Sequence, residues 1–174
     1  VPPVPVDIMA IRPKMTALAA RIADGLSLSV ASSHDYLRSQ VQLVEEVLER
    51  EGRDRSAYRV SAAVLVSLAP DLDTARAAMA RTLATFPPGV PAMLTGLELP
   101  DPVDVAEARE RGVEHVAALY SRETVEGLGV VATPQTLAAA IDRYREDGID
   151  EFIAMPVSAD AQVAVAEALG SVTG

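Results

Sequence analysis

Apolar residues along this chain alternate between short continuous runs and stripes with helical spacing. Residues 4–10 form the first run, which predicts a buried strand that pairs only after Pro5, because proline lacks a backbone N–H. A helix follows, with Pro13 suited to its first position and Gly25 to its C-terminal cap. The face of this helix predicted to point inward carries Met15, Leu18, Ala19 and Ile22.

The same alternation repeats along the next sixty residues. Residues 26–31 predict a second strand, and Ser32 with Asp35 resembles a capping box at the start of a helix that stops at Gly52. Residues 60–68 are almost continuously apolar, which is typical of a central parallel strand covered on both faces. The inward stripe of the helix after the second strand consists of Leu37, Val41, Val44 and Leu48.

A third helix is predicted over residues 72–86 and is ended by Pro87-Pro88-Gly89. Residues 90–127 then break the rhythm and predict a helical insertion without a strand, divided by Gly112 into two short helices. The inward stripe of the third helix consists of Leu72, Ala75, Met79, Leu83 and Phe86.

Alternation resumes at Thr133-Pro134, a cap followed by a first-turn proline. The helix that begins there stops at Gly148, residues 151–157 form the fourth predicted strand, and residues 161–169 the last helix. Four strand–helix units over residues 1–174 predict a single α/β domain with parallel pairing. An open doubly wound sheet and part of a (βα)8 barrel both satisfy this order, although no Gly-x-Gly-x-x-Gly follows the first strand. In the helix predicted to begin at Thr133-Pro134, the stripe that faces inward consists of Leu137, Ile141 and Tyr144.

Composition excludes several classes of function. The net charge is -10 and only 3% of residues are aromatic, which disfavours nucleic-acid and membrane partners. The chain has no cysteine, so disulfides, thiolate metal sites and cysteine nucleophiles are excluded. The first residues lack a signal-peptide pattern, and no run is long enough for a membrane span, so we expect a cytoplasmic protein.

Candidate chemistry is concentrated at the first strand–helix turn. Arg12 and Lys14 lie where exposed N–H groups and the positive end of a helix dipole favour an anion. The turn therefore predicts a phosphate or carboxylate site, with solvated surface charges as the alternative. Ser29 lies near the carboxyl end of the second strand, where barrel sites form, and is a candidate ligand contact, here assigned to substrate. An alternative for Ser29 is a bond to a backbone carbonyl.

Other polar residues do not compose a complete site, so the catalytic residues stay unassigned. His34 and His115 lack carboxylates at metal-ligand spacing, so no metal is expected. Both are interpreted as surface residues, with a catalytic role as the alternative for His34. The carboxylates expected to be solvated on outward helix faces are Glu45, Glu46, Glu49, Asp142 and Glu146.

Two stretches resemble the luciferase-like monooxygenase superfamily, and in particular its members that use coenzyme F-420. The first runs from Pro5-Val6-Asp7-Ile8-Met9-Ala10 through Pro13-Lys14-Met15 to Ala23-Asp24-Gly25; the second joins Val131-Ala132-Thr133-Pro134-Gln135 to Gly148-Ile149-Asp150-Glu151-Phe152. The resemblance implies a TIM barrel of which this chain is the C-terminal half, units five to eight. It also implies that the turn at Ala10, Ile11 and Arg12 approaches the cofactor. Relatives often have glycine in that turn and before Thr133, where this chain has Ile11, Arg12 and Ala132.

The resemblance further implies an oxidoreductase that transfers a hydride between a deazaflavin (F-420) or flavin (FMN) cofactor and an organic substrate, which the sequence does not identify. The four N-terminal units of such a barrel are not in this sequence, so the segment alone is expected to be incomplete. A lone half-barrel leaves two open sheet edges. We therefore expect a homo-oligomer or pairing with a missing N-terminal half. The alternative function is a non-catalytic half-barrel that binds an anion or mediates assembly.

Overall fold

The computed structural model describes residues 4–86, 93 and 96–172. Its strands are all paired in parallel. They are β1 (Asp7–Met9), β2 (Gly25–Leu28), β3 (Arg59–Leu68), β4 (Val130–Ala132) and β5 (Glu151–Pro156). The helices are α1 (Pro13–Ile22), α2 (His34–Glu51), α3 (Leu72–Thr85), α4 (Pro102–Arg111), α5 (Val113–Ala117), α6 (Arg122–Gly127), α7 (Leu137–Glu146) and α8 (Ala159–Val172).

The order of the strands follows from the pairing of the central strand β3. Ser61 and Ala62 of β3 have partners in both β2 and β5, so these two strands lie on opposite edges of β3. Val66 has partners in both β4 and β5, so the short β4 lies on the β2 edge, beyond the end of β2. The main order is therefore β1-β2-β3-β5.

This order defines an arc of a barrel. Each long strand is added on the same side of the strand before it, and right-handed crossovers then place α1, α2 and α7 on one face of the sheet. In a doubly wound sheet, the order in which successive strands are added would instead reverse at a switch point. The fold is α/β of the (βα)8 TIM-barrel type, and the chain supplies four βα units together with additional helices between β3 and β4.

Helices α1, α2 and α7 form one continuous layer on the sheet. Thr16 of α1 donates a 2.7 Å hydrogen bond to Gln40 of α2, and Val41 of α2 packs against Gly148 after α7. On the opposite face, α3 lies over the carboxyl end of β3, where Ser67 donates to the Ala75 carbonyl at 2.8 Å. None of the described helices is long and apolar enough to cross a membrane.

The inward face predicted for α1 is wrong except at Ala19. Thr16, Ala19 and Ala20 are buried, whereas Met15, Leu18 and Ile22 are exposed. Small side chains on the buried face allow α1 to approach α2 closely, because interaxial distance depends on the side chains at the contact. The larger apolar side chains are left without a cover in this part of the chain.

Gly25 is not the C-terminal cap of α1. It is the first residue of β2, and the cap position is Ala23. A Cβ at Gly25 would lie 2.5 Å from the Asp7 Oδ1 atom and 2.7 Å from the Arg59 carbonyl oxygen. The glycine is required by this close approach between three strands.

Two helix starts, one strand and one further helix also differ from the predictions. The N-cap of α2 is Ser33, which accepts from the Tyr36 N–H, and not Ser32. Helix α7 begins at Leu137 instead of at Pro134. The strand β4 and the helix α6 were not predicted. Pro87-Pro88-Gly89 lies outside the described residues.

Other predictions are confirmed. The inward stripes of α2 and α7 are buried, β3 is central, and Gly52 ends α2 with a φ of 65°. Ala75, Met79 and Leu83 of α3 are buried, while Leu72 and Phe86 are only partly buried. Gly112, with a φ of 112°, separates α4 from α5.

Candidate functional site

The turn between β1 and α1 is held in place by its neighbours. Ala10 is buried and its N–H donates to the Ser27 carbonyl of β2 at 3.3 Å. The Tyr36 hydroxyl of α2 donates to the Ile11 carbonyl at 2.7 Å. Burial raises the pKa of Tyr36 to about 12, so this hydroxyl is a neutral donor at physiological pH. The turn is therefore fixed by contacts from both β2 and α2.

The same turn presents positive charge to solvent. Arg12 is the N-cap residue of α1, and its carbonyl accepts from the N–H groups of Met15 and Thr16. The first turn of α1 has no acidic residue. Arg12 and Lys14 are exposed and form no ion pair with any residue that the structure describes. Two unpaired cations at the positive end of a helix dipole are suited to an anionic ligand.

Ser29 lies at the same end of the sheet as this turn. It follows the last residue of β2 and is two residues beyond Ser27, which binds Ala10. Two residues of strand span roughly 7 Å. The Ser29 carbonyl accepts from the Ser32 hydroxyl at 2.8 Å, and Ala31 between them has a φ of 56°, a strained conformation for a residue other than glycine. The contact of Ser29 with substrate stays a prediction.

His34 is not a surface residue, contrary to the prediction. Its side chain is 13% exposed, and its Nδ1 atom forms a short hydrogen bond with Oδ2 of Asp147, which is 5% exposed. Asp147 Oδ1 also accepts from Arg38 Nη1 at 2.8 Å. The His34 ring lies 4.7 Å from the Tyr144 ring, centroid to centroid. The buried carboxylate thus orients the imidazole between α2 and α7, as in acid–base pairs of known sites.

Two cavities of about 310 and 240 Å³ adjoin this pair. Both are lined by His34, Glu126 and Arg143, and together they lie between α2, α6 and α7. Glu126 accepts from Arg76 at 2.5 Å and from Arg122 at 3.0 Å. Partial burial alone would raise the pKa of Glu126, but these two hydrogen bonds outweigh it and lower the pKa. The larger cavity reaches the lower end of the volumes that are typical of small-molecule sites.

Local sequence patterns do not predict this cluster. His34 and Asp147 are separated by 113 residues, and only the packing of α2 against α7 brings them together. The interpretation of His115 as exposed is confirmed, as is that of the outward carboxylates. Across the described ranges, no group of three or more His, Asp or Glu residues could hold a metal ion. The outward carboxylates are Glu45, Glu46, Glu49, Asp142 and Glu146.

Comparison with known proteins identifies the family. Residues 1–151 match the family model described as luciferase-like monooxygenase. The match covers more than half of the chain, so the chain belongs to the luciferase-like monooxygenase family.

Solved structures agree with the fold. An F-420-dependent secondary alcohol dehydrogenase, in complex with an F-420–acetone adduct, is 25% identical, with a TM-score of 0.69, over 98% of this chain and 49% of its own. A coenzyme F-420-dependent tetrahydromethanopterin reductase from Methanopyrus kandleri is 22% identical, with a TM-score of 0.75, over 96% and 49%. A riboflavin lyase with modified FMN is 18% identical, with a TM-score of 0.56, over 95% and 42%. The chain spans about half the length of these relatives.

Proposed function

We propose that this chain forms the anion-binding side of the cofactor site of an oxidoreductase that uses coenzyme F-420 or FMN. The relatives whose descriptions name a cofactor use one of these two molecules. When bound, such a cofactor carries out hydride transfer to or from an organic substrate. The observation that carries the proposal is the pair of unpaired cations, Arg12 and Lys14, at the N-terminus of α1.

The residues of the turn fit an anionic cofactor. F-420 and FMN both carry a phosphate group, and phosphate is favoured by the N–H groups and dipole of a helix N-terminus. Arg12 would pair with phosphate through its planar guanidinium, and Lys14 through a point charge. Ala10 and Ile11 supply a short, fixed turn beside it, because Tyr36 holds the Ile11 carbonyl. Ser29, at the end of the neighbouring strand, would contact substrate.

A direct titration tests this proposal. Purified full chain is mixed with F-420 or with FMN, and quenching of the cofactor fluorescence is measured. We expect Arg12→Ala to weaken binding about ten- to a hundredfold, since one charge-assisted contact is worth roughly 1.5–3 kcal/mol. The loss should be larger at low salt, where screening is least.

Arg21→Ala is the matched control. Arg21 lies in the last turn of the same helix, where it pairs with exposed Glu51, and the substitution changes the net charge by the same amount. Cofactor affinity should be unchanged in this variant. Equal affinities of both variants would assign Arg12 to the solvated surface, and binding of neither cofactor to the unaltered chain would contradict the proposal.

A non-catalytic anion-binding or assembly module is the second candidate. It is favoured by the exposed apolar side chains on α1 and β1, which are typical of a surface that docks on a partner. Hydride transfer distinguishes the two candidates, because only an oxidoreductase should oxidise or reduce bound F-420 when presented with a range of small alcohols and aldehydes. Bound cofactor without turnover would support the second candidate.

A further inference from the structure

The smaller of the two cavities beside His34 differs from the larger one in charge. The larger cavity, of about 310 Å³, is lined by three carboxylates and two arginines. The smaller cavity, of about 240 Å³, is lined by three arginines and, among the residues that the structure describes, by one carboxylate, Glu126. Because like charges repel at short range, an anionic ligand is disfavoured in the larger cavity and favoured in the smaller one.

Arg143 is the cation of the smaller cavity that is available to a ligand. Arg76 and Arg122 both donate to Glu126, so each of these guanidinium groups already has a carboxylate partner. Arg143 is exposed and forms no ion pair with any residue in the described part of the chain. Side chains of a helix tilt toward its N-terminus, so Arg143 extends along α7 toward Thr136, which lines the same cavity. A guanidinium without a partner is suited to bind a carboxylate or phosphate.

The other walls of the smaller cavity are mostly apolar. Its volume equals that of roughly eight water molecules in the liquid, so a ligand with about that many non-hydrogen atoms fits. A pocket with apolar walls and one polar anchor selects an apolar body that carries a matching polar group. Inorganic phosphate offers no apolar surface to such walls, whereas an organic carboxylate does. The apolar and aromatic wall residues are Leu72, Val130, Val131, Ala140 and Tyr144.

We propose that the smaller cavity binds a small organic carboxylate, with its carboxylate group on Arg143 and its apolar body between Leu72 of α3, Val130 of β4 and Ala140 of α7. The wall is built from these elements together with α2 and α6, whereas the cofactor turn lies between β1 and α1. The two sites are therefore distinct. The carboxylate site goes beyond the proposed cofactor function and does not rest on it.

Calorimetric titration of the purified full chain with benzoate tests the proposal, because benzoate joins one carboxylate to a compact apolar ring. We expect saturable binding, and Arg143→Gln should raise the dissociation constant for benzoate at least about tenfold, since a charge-assisted hydrogen bond is lost. Arg145→Gln is the matched control. Arg145 lies on the same helix, pairs with exposed Asp142, and its substitution removes the same charge, so the affinity for benzoate should be unchanged.

Filling the cavity tests the position of the apolar body. Ala140 lines the smaller cavity, so Ala140→Leu should abolish binding of benzoate by occupying its space. Ala139→Leu is the control, because Ala139 is the exposed neighbour of Ala140 on α7 and lies outside the wall. Far-UV circular dichroism shows whether both variants are folded. Since Arg143 is exposed, Arg143→Gln tests the same site without a change in packing.

Two further probes separate charge from shape. Benzamide has the shape of benzoate without its charge, and acetate has the charge without the ring, so both should bind the unaltered chain more weakly than benzoate does. Benzamide or acetate that binds as tightly as benzoate would overturn the proposal.

The remaining outcomes are equally distinct. The absence of saturable benzoate binding, or equal effects of Arg143→Gln and Arg145→Gln, would overturn the proposal. A loss of benzoate binding in Arg12→Ala but not in Arg143→Gln would place benzoate at the cofactor turn and would overturn it too. Benzoate binding that depends on Arg143, in a chain that binds neither F-420 nor FMN, would support the carboxylate site and contradict the proposed function alone.

Discussion

Asp147 joins the end of α7 to the start of α2 through hydrogen bonds from His34 and Arg38. A carboxylate removed from water needs such partners, because an unpaired buried charge is costly. Its burial also fixes which nitrogen of His34 faces α7. The pair therefore contributes to stability and to the shape of the adjoining cavities.

Removing this carboxylate should destabilise the protein. We expect Asp147→Ala to lower the free energy of unfolding by about 1–3 kcal/mol, because the His34 ring loses its partner in a largely buried site. Far-UV circular dichroism during urea unfolding measures the change as a lower midpoint at constant slope.

Asp142→Ala on the same helix is the control for Asp147→Ala. Asp142 is exposed and, among the residues that the structure describes, pairs only with exposed Arg145, so its loss should change stability by less than about 0.5 kcal/mol. A similar loss in both variants would show that the buried pair has no special role.

At the scale of the elements, the sequence predicts helices and strands best where one face of a helix packs on an apolar sheet. α2 and α7 have wide apolar stripes, and β3 is apolar on both faces, so pattern and packing agree. The prediction of the inward face of α1 is wrong because the apolar stripe of this helix is not the face that packs on α2. The strand β4 was not predicted because its three residues are too few to give a periodic pattern.

The candidate site was predictable only where it is local in sequence. The cations of the first turn follow from the strand–helix boundary beside Arg12 and Lys14. The contact between His34 and Asp147 depends on the tertiary packing of α2 and α7, which no local pattern encodes. Tyr36, which fixes the first turn from α2, was missed for the same reason.

Glu126 links two further elements, α3 through Arg76 and α6 through Arg122. Its folded-state pKa lies below the ordinary value of 4.5. The charged form therefore stabilises the fold above that ordinary value, and the contribution is lost as the pH falls through the lowered pKa. Because Glu126 is partly exposed, we expect a contribution of no more than about 1 kcal/mol.

Urea unfolding of Glu126→Gln at several pH values measures this link. The variant should be less stable than the unaltered chain at neutral pH, and the difference should vanish in acid, where Glu126 itself is protonated. Glu107→Gln is the control, since Glu107 is exposed and has no ion pair among the described side chains. A deficit for Glu126→Gln that persists in strong acid would show that the charge of Glu126 is not its cause.

At the scale of the whole molecule, the proposed cofactor site opposes the overall charge. The chain has a net charge of -10, which repels an anion at long range. An anionic cofactor would therefore depend on the small positive region at Arg12 and Lys14. Salt screens both the long-range repulsion and the local attraction.

A sodium chloride series measures the balance between these two terms. As the salt concentration rises, the dissociation constant for F-420 or FMN should rise, because screening weakens charge-assisted contacts with phosphate. Arg21→Ala, which leaves the turn at Arg12 intact, should reproduce this trend, whereas Arg12→Ala should depend less on salt. A dissociation constant that falls as the salt concentration rises would show that long-range repulsion outweighs the local contacts, and the anion site inferred from Arg12 and Lys14 would then be wrong.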